Sequence, residues 1–343
     1  MKKKILLALF VLAFGISALA NISVSAESYV GDGQCTFYKS NGEAIVSGCL
    51  APNPGEIVIP EILGGCPVTT IVGSQWGSGF SKYTGITIPN SVTTIGDYAF
   101  LRCRDFTDID IPDNVTYIGK EAFADCYSLT SVTIPDGVTT INKKAFSNCI
   151  ALTSVTIPNS VSTIGEYIFS GCDSLTSVTI PGSISFLEHG MFNKCENLEN
   201  VTIQDGVKTI GTAVFYGCKS LASITIPDSI TSIGESAFEH STKLTDVYYS
   251  GTKKEWENIV IDAYNEPLKN ATIHFMGEPE TGDSNGDEVI DIKDVILMRR
   301  FITGGQAETI FEGASDVNKD DEVDVRDIVV TRRFVAGGYG VEL

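Results

Sequence analysis

The chain has 343 residues, a formal net charge of -19 at pH 7 and 43% hydrophobic residues. This acidic balance argues against electrostatic binding to nucleic acid or anionic lipid, whose phosphates need basic partners. The same excess of carboxylates favours solubility and the binding of cations.

The first 26 residues have the pattern of a secretory signal peptide. Lysines at positions 2–4 precede an apolar run from Ile5 to about Ala20, which lacks the length and flanks of a membrane-spanning helix. Cleavage is expected after Ala26, with Ala20 as the second choice. The pattern predicts a secreted, extracellular protein with no membrane insertion after cleavage.

A 23-residue period dominates the middle of the chain. The unit reads Leu-x-x-Val-x-Ile-Pro-x-x-Val-x-x-Ile-Gly-x-x-Ala-Phe-x-x-Cys, and such self-similarity predicts a solenoid. In the strand at 131–134, alternation sends Val132 and Ile134 inward and Ser131 and Thr133 outward. One phenylalanine per repeat is expected to form a continuous internal spine. These residues are Phe100, Phe123, Phe146, Phe169, Phe192, Phe215 and Phe238.

The unit resembles the BspA-like leucine-rich repeat of bacterial surface proteins over roughly residues 55–275. The resemblance implies a leucine-rich-repeat solenoid of the α/β type with one strand per repeat. We expect this domain to occupy residues 27–276, with regular repeats at 83–245. An irregular N-terminal cap at 27–82 contains the hairpin signal Asn41-Gly42, and a C-terminal cap follows at 246–276.

Six of the nine cysteines follow the same period: Cys103, Cys126, Cys149, Cys172, Cys195 and Cys218. In-register Cβ atoms in a parallel stack lie about 4.8 Å apart, farther than the roughly 3.5 to 4.5 Å of a disulfide. A row also cannot surround zinc tetrahedrally. We therefore predict buried, reduced thiols. Outside the row, a bridge between Cys35 and Cys49 is one option, and the state of Cys66 is open.

Two aspartate-rich segments, 33 residues apart, place oxygen side chains at loop positions 1, 3, 5, 9 and 12. With a backbone carbonyl at position 7, this is the spacing that wraps oxygen atoms around Ca²⁺. The pattern predicts two calcium ions. Position 6 is Glu288 or Asp321 instead of the usual Gly. The predicted ligands are Asp283, Asn285, Asp287, Val289, Asp291 and Asp294 in the first loop, and Asp316, Asn318, Asp320, Glu322, Asp324 and Asp327 in the second.

Each loop runs into a short apolar and basic segment that glycines end, so residues 282–343 resemble a type I dockerin. The resemblance implies a small all-α module that binds a cohesin module of a cellulosome scaffold, after a linker at 277–281. Two nearly identical surfaces would allow binding in two orientations related by a two-fold rotation. The cohesin-contacting positions carried over are Ile292, Lys293, Arg299, Arg300, Val325, Arg326, Arg332 and Arg333.

The repeats contain no His-Glu-x-x-His, no Gly-x-Ser-x-Gly and no phosphate loop. We expect a non-catalytic binding protein, associated with a scaffold or cell surface in a bacterium. Because dockerins mostly accompany plant-polysaccharide hydrolases, the expected context is polysaccharide breakdown. A glycoside hydrolase-type enzyme subunit, or an adhesin to substrate, cell or host protein, stays the alternative.

The ligand of the repeats, a glycan or a protein, is left open by the sequence. The outward positions are a uniform row of Ser, Thr and Asn with no aromatic side chain. Aromatic residues gather at the two ends instead, and most are expected to be cap core. They are Trp76, Phe80, Tyr83, Tyr248, Tyr249 and Trp256.

Overall fold

The computed structural model describes residues 35–49, 55–277 and 292–302, together with the backbone of 29–31. Single positions at 290, 315, 317, 323, 327, 328 and 331 are also described, and the side chains of 300 and 301 are not. The signal peptide prediction lies outside these residues. Two compact units divide the chain, one of residues 1–248 and 258–274, the other of 249–257 and 275–343.

Three antiparallel strands begin the described part of the first unit. They are β1 (Tyr29–Gly31), β2 (Cys35–Ser40) and β3 (Glu43–Cys49), and β2 and β3 form a hairpin. Asn41 and Gly42 turn with φ of 51° and 83°, the left-handed backbone that a tight hairpin turn requires, so the predicted turn is confirmed. Cys35 lies opposite Cys49 and is disulfide-bonded to it, whereas Cys66 is free.

The repeats that follow are stacked coils of short strands. The next strands are β4 (Glu56–Val58), β5 (Ile62–Leu63), β6 (Cys66–Ile71), β7 (Gly85–Thr87), β8 (Thr94–Ile95), β9 (Tyr117–Ile118), β10 (Ser131–Thr133), β11 (Thr140–Ile141), β12 (Ser154–Thr156), β13 (Thr163–Ile164), β14 (Ser177–Ile180), β15 (Phe186–Leu187), β16 (Asn200–Ile203), β17 (Thr209–Ile210), β18 (Ser223–Ile226), β19 (Ser232–Ile233), β20 (Asp246–Tyr249), β21 (Val260–Ile261) and β22 (Thr272–Phe275).

Strands one repeat apart pair in parallel, as the predicted solenoid requires. Ser131 lies beside Ser154 in β10 and β12, and Thr140 lies beside Thr163 in β11 and β13. The sheet orders are β1-β2-β3-β6-β8-β9-β11-β13 with β5 on β6, then β10-β12, β14-β16-β18-β20-β22, β15-β17-β19-β21 and β4-β7.

Most repeats contribute two strands, whereas the sequence predicted one. The second strand has two residues, for example Thr140 and Ile141, and no helix forms within the repeats. Its β-branched residues favour extended backbone, and the next position in most repeats is glycine, which ends the strand. The coil is therefore a two-sided β-solenoid of 23-residue period, with the predicted inward rows intact.

The phenylalanine spine occupies the centre of the coil. All seven rings are buried, and successive ring centroids lie 5.0 to 5.7 Å apart. Val132 and Ile134 are buried while Ser131 and Thr133 are exposed, as the alternation predicted. Contact between equivalent residues of neighbouring repeats therefore builds one continuous hydrophobic core.

Two rows of left-handed residues shape the turns between strands. Tyr98 and Lys144, for example, have φ of 58° although both carry a β-carbon. Their N–H groups donate to carbonyl oxygens of the next repeat, Lys120 and Glu166 respectively, so hydrogen bonds between repeats offset the backbone strain. The rows are Tyr98, Glu121, Lys144, Tyr167, Gly190, Ala213 and Ser236, then Arg102, Asp125, Asn148, Gly171, Lys194, Gly217 and His240.

The cysteine row lies beside the spine, reduced and buried as predicted. The Cys172 thiol donates to the Phe146 carbonyl oxygen at 3.3 Å, and Cys126, Cys149, Cys195 and Cys218 repeat the contact. Ser241 holds the next place in the row and donates to the Phe215 carbonyl oxygen at 2.7 Å. The row thus supplies one hydrogen bond per repeat.

The buried thiols are expected to weaken the fold at alkaline pH. Burial raises the pKa of Cys172 from 9.0 to about 12. Because the folded pKa lies above the unfolded one, the stabilisation is complete below pH 9 and is lost as pH rises toward 12. Urea titrations at a series of pH values in this range measure the effect. The free energy of unfolding of Cys172→Ala should fall less steeply with pH than that of the unmodified chain, by about 1.4 kcal/mol per pH unit.

A thiol reagent provides the companion measurement. Half-buried Cys66 should react in the native protein, while the six row cysteines react only after unfolding. Native labelling of the row at the rate of a free thiol, or identical pH slopes for the two proteins, would contradict the buried-thiol account.

Three helices complete the described structure, α1 (Lys253–Glu257), α2 (Glu266–Asn270) and α3 (Ile292–Ile302). Asn265, fully buried before α2, accepts from the Phe238 N–H at 3.0 Å. Its amide also donates to the Gly234 carbonyl oxygen at 2.9 Å. The side chain thereby satisfies the Phe238 N–H, whose equivalents in earlier repeats, such as Phe215, donate to the next repeat, and so it closes the coil.

Candidate functional site

Helix α3 belongs to the second unit and begins at position 10 of the first predicted calcium loop, so that Asp294 at position 12 lies in its first turn. Asp294 in its first turn favours the helix because a carboxylate stabilises the positive end of the helix dipole. Val295 and Met298, three residues apart on one face, are buried. One face of the helix is therefore buried.

The two loop-end carboxylates, Asp294 and Asp327, are both fully buried. The Val317 N–H, at position 2 of the second loop, donates to Asp327 Oδ1 at 2.8 Å and so ties the end of the loop to its beginning. A buried carboxylate needs hydrogen bonds or a cation to offset its desolvation. Both positions therefore fit a hard cation with oxygen ligands.

One contact joins described residues of the two copies. The Thr331 hydroxyl donates to Met298 Sδ at 3.7 Å, and both residues are buried. They are 33 residues apart, which is also the spacing of the two loops. Contact between equivalent positions of a duplicated motif is what a two-fold relation between the copies produces.

Only the loop-end members of the predicted calcium set lie among the described residues. The other ten lie outside them: Asp283, Asn285, Asp287, Val289, Asp291, Asp316, Asn318, Asp320, Glu322 and Asp324. Within the described part of the chain, no group of three or more His, Cys, Asp or Glu residues could hold a metal ion.

The predicted cohesin-contacting residues of the first copy whose side chains are described are exposed on α3. Ile292 is 54% exposed, and Lys293 and Arg299 are also exposed. Ile296, which the sequence reasoning missed, is 46% exposed one turn after Ile292. Its i+4 spacing from Ile292 was the available signal. The side chains of Arg300, Val325, Arg326, Arg332 and Arg333 lie outside the described residues.

The aromatic residues at the ends of the repeats divide into core and surface. Phe80, Tyr83 and Tyr249 are buried, which confirms the expectation of cap core for these three. Trp256 is half-buried against Tyr249, with ring centroids 5.1 Å apart. Trp76 and Tyr248 are exposed, at 80% and 39%.

Tyr248 stands on the outward face of β20 in a small polar cluster. Its ring stacks on His274, with centroids 4.8 Å apart and planes at 17°. His274 Nε2 lies 2.7 Å from Asp246 Oδ1, and the Thr245 hydroxyl donates to Asp246 Oδ2 at 2.8 Å. The contact with His274 lowers the pKa of Asp246, and the Thr245 hydrogen bond acts in the same direction. The carboxylate is thus held ionised at neutral pH.

Comparison with protein families identifies both parts of the chain. The BspA type leucine rich repeat region matches residues 70–196 and 139–267 in six copies. The chain belongs to the BspA-type leucine-rich repeat family. A dockerin type I domain matches residues 281–335. The BspA-type repeats are therefore followed by a type I dockerin, a module that binds calcium and engages cohesins.

Solved structures of leucine-rich repeat proteins resemble the BspA-type repeats at low identity. A T. pallidum protein is 22% identical, covering 69% of this chain and 92% of its own, with a TM-score of 0.47. A Faecalibacterium prausnitzii cell surface protein is 23% identical, covering 70% of this chain and 99% of its own, with a TM-score of 0.40. A Eubacterium ventriosum protein is 22% identical, covering 68% of both chains, with a TM-score of 0.44.

No curated protein matches the chain. Among the described residues, no helix combines the length and apolar character needed to cross a membrane.

Proposed function

We propose that this BspA-type repeat protein is a secreted, non-catalytic binding subunit that a calcium-loaded dockerin attaches to a cohesin-bearing scaffold. The match to a type I dockerin carries the proposal. Burial of Asp294 and Asp327 at the ends of both loops supports calcium loading, with one ion in each loop. We place the dockerin at 282–343, after a linker at 277–281 and the repeats at 27–276.

The repeats supply the binding surface, in the context of polysaccharide breakdown. Their core is a continuous stack, and the outward positions of β10, β12, β14, β16 and β18 are short polar side chains. Such a surface offers many weak contacts over a long face and no deep pocket. A scaffold that carries this subunit would thereby gain affinity for a ligand without a further catalytic centre.

The cohesin surface is proposed to be present twice. Arg299 is exposed on α3, and Arg332 is its counterpart 33 residues later. The Met298–Thr331 contact supports a two-fold relation between the copies. Either copy could then meet the same cohesin surface after rotation of the dockerin, with the calcium loops intact in both orientations.

Arginine variants test this two-orientation binding. Changing Arg299 and Arg300 to Ala, or Arg332 and Arg333 to Ala, should each leave the cohesin Kd within about threefold, because rotation restores the lost contacts. The fourfold variant should bind at least about 100-fold more weakly, far beyond the sum of the two doubles. Isothermal titration calorimetry with saturating calcium measures all three.

A double variant of Lys253 and Lys254, which are exposed on α1, controls for loss of two positive charges. It should bind cohesin like the unmodified chain. Complete loss of binding in a single arginine double variant would show that one orientation alone operates.

A further inference from the structure

Threonine hydroxyls in the repeats fall into two classes. In the first, the hydroxyl donates to the preceding repeat, as Thr130 does to the Thr107 carbonyl oxygen at 3.0 Å and Thr153 to the Thr130 carbonyl oxygen at 3.2 Å. In the second, which contains Thr179, Thr202 and Thr225 on the outward face, the side-chain hydroxyl bonds to no other described residue. The second class keeps both the donor and the acceptor capacity of the hydroxyl for a ligand, whereas in the first class the donor is already used within the repeats.

The free hydroxyls form a regular row on the five-stranded sheet. Thr179 lies beside Thr202, and Thr202 beside Thr225, so the hydroxyls repeat about every 4.8 Å. A second row, of Ser177, Asn200 and Ser223, runs parallel to it. Along each strand the two rows are two residues apart, about 6.6 Å.

The outward face of β14, β16 and β18 is uncharged in a strongly acidic protein. None of the outward residues of β14, β16 and β18 carries a charge, although the whole chain has a net charge of -19. The face also lacks apolar side chains of the kind that anchor protein partners. Its chemistry is complementary to an uncharged ligand that is rich in hydroxyl groups.

The hydroxyl row ends at the Tyr248 cluster. Thr245 and Asp246 donate their N–H groups to the Ala222 carbonyl oxygen, as Ala222 and Ser223 do to Glu199 one strand earlier. The register therefore continues, and Tyr248 stands next to Thr225 in the row. His274 covers one face of the Tyr248 ring. On the side of the other ring face, the neighbour of Tyr248 is Thr225, whose side chain is short. That face of the ring is therefore open to a flat ligand.

We propose that the outward face from β14 to β22 binds a single chain of a neutral polysaccharide. One sugar ring stacks its C–H face on Tyr248, and the Asp246 carboxylate accepts hydrogen bonds from that ring's hydroxyls. The hydroxyl rows bind the following sugars. This inference rests on the proposed function as a scaffold-borne binding subunit and specifies the class of its ligand.

Affinity gel electrophoresis of the full chain in calcium tests the assignment. Soluble xyloglucan and mixed-linkage β-glucan are the neutral probes, and polygalacturonate is the anionic control. We expect a neutral probe to retard the chain and polygalacturonate to leave it unretarded. Tyr248→Thr should weaken the retardation at least about tenfold, the effect of losing one stacking contact.

Matched variants separate binding from folding. Phe186→Thr also replaces an exposed aromatic residue by the threonine found elsewhere in its row, but on the other sheet, and should leave retardation unchanged. Thr202→Val removes an outward hydroxyl and should weaken binding about threefold. Thr153→Val removes a hydroxyl that is already bonded within the repeats, and should not weaken it.

The inference is overturned if neither neutral probe retards the chain, if polygalacturonate retards it equally, or if Tyr248→Thr and Phe186→Thr behave alike. A protein ligand released by Tyr248→Thr, with no retardation by either neutral probe, would also overturn it. Cohesin binding, measured on the same samples, distinguishes this failure from failure of the proposed function, because the latter removes cohesin binding as well.

Discussion

Replacing Phe169 by Ala is expected to lower the free energy of unfolding of the repeats by about 3 to 5 kcal/mol. The ring is fully buried, and its centroid lies 5.5 Å from both Phe146 and Phe192. The substitution removes buried apolar surface and leaves a cavity that the stacked backbone closes only in part. Urea unfolding followed by circular dichroism measures the loss.

Two control variants allow the size of this loss of stability to be judged. Phe169→Leu keeps most of the volume and should cost about 1 to 2 kcal/mol. Thr156→Ala, on the exposed face, should change stability by no more than about 0.5 kcal/mol. If Phe169→Ala costs no more than Thr156→Ala, the spine does not hold the repeats together.

Changing Asp294 and Asp327 to Ala is expected to abolish both the helical signal of the dockerin and its binding to cohesin. Each loop brings together oxygen side chains that repel one another without a cation, so calcium binding and folding are coupled. Five-residue helices are the only ones described within the repeats and their cap, so the far-UV helical signal reports mainly on the dockerin.

The repeats should stay folded in this variant, with the urea midpoint of the unmodified chain. Asp228→Asn, an exposed carboxylate in the repeats, controls for loss of negative charge and should keep helix and binding. Normal cohesin affinity in the Asp294 and Asp327 variant would refute the role of these carboxylates.

The inward side of the fold could be predicted because one physical rule repeats at every turn. Period and strand alternation place Phe169, Val178 and Cys172 inside, and all three are buried. The Cys35–Cys49 bridge was one of several options, and only the hairpin register places the two residues opposite each other.

The turns could not be predicted, since contacts between repeats determine their backbone. Glu121 and Lys144 have left-handed φ values of 52° and 58° without the Gly or Asn that usually signals them. Each donates its N–H to the next repeat, a contact that no local pattern encodes. The stacked geometry overrides local preference at these positions.

The candidate sites likewise include residues that the sequence pattern could predict and contacts that it could not. Loop spacing singled out Asp294 and Asp327, because calcium ligation imposes an order of residues along the chain, and both are buried. Their role as ligands stays a prediction. The pairing of Tyr248 with His274, 26 residues later, depends on the irregular cap between β20 and β22 and had no sequence signal. The two hydroxyl classes likewise differ in position on the coil and not in residue type.

The most direct test of the central claim is calorimetric titration of the full chain with a type I cohesin, first in calcium and then in excess chelator. We predict a one-to-one complex in calcium, no heat of binding in chelator, and recovery of binding when calcium is restored. Equal affinity in chelator, or no binding to a panel of type I cohesins in saturating calcium, would contradict it.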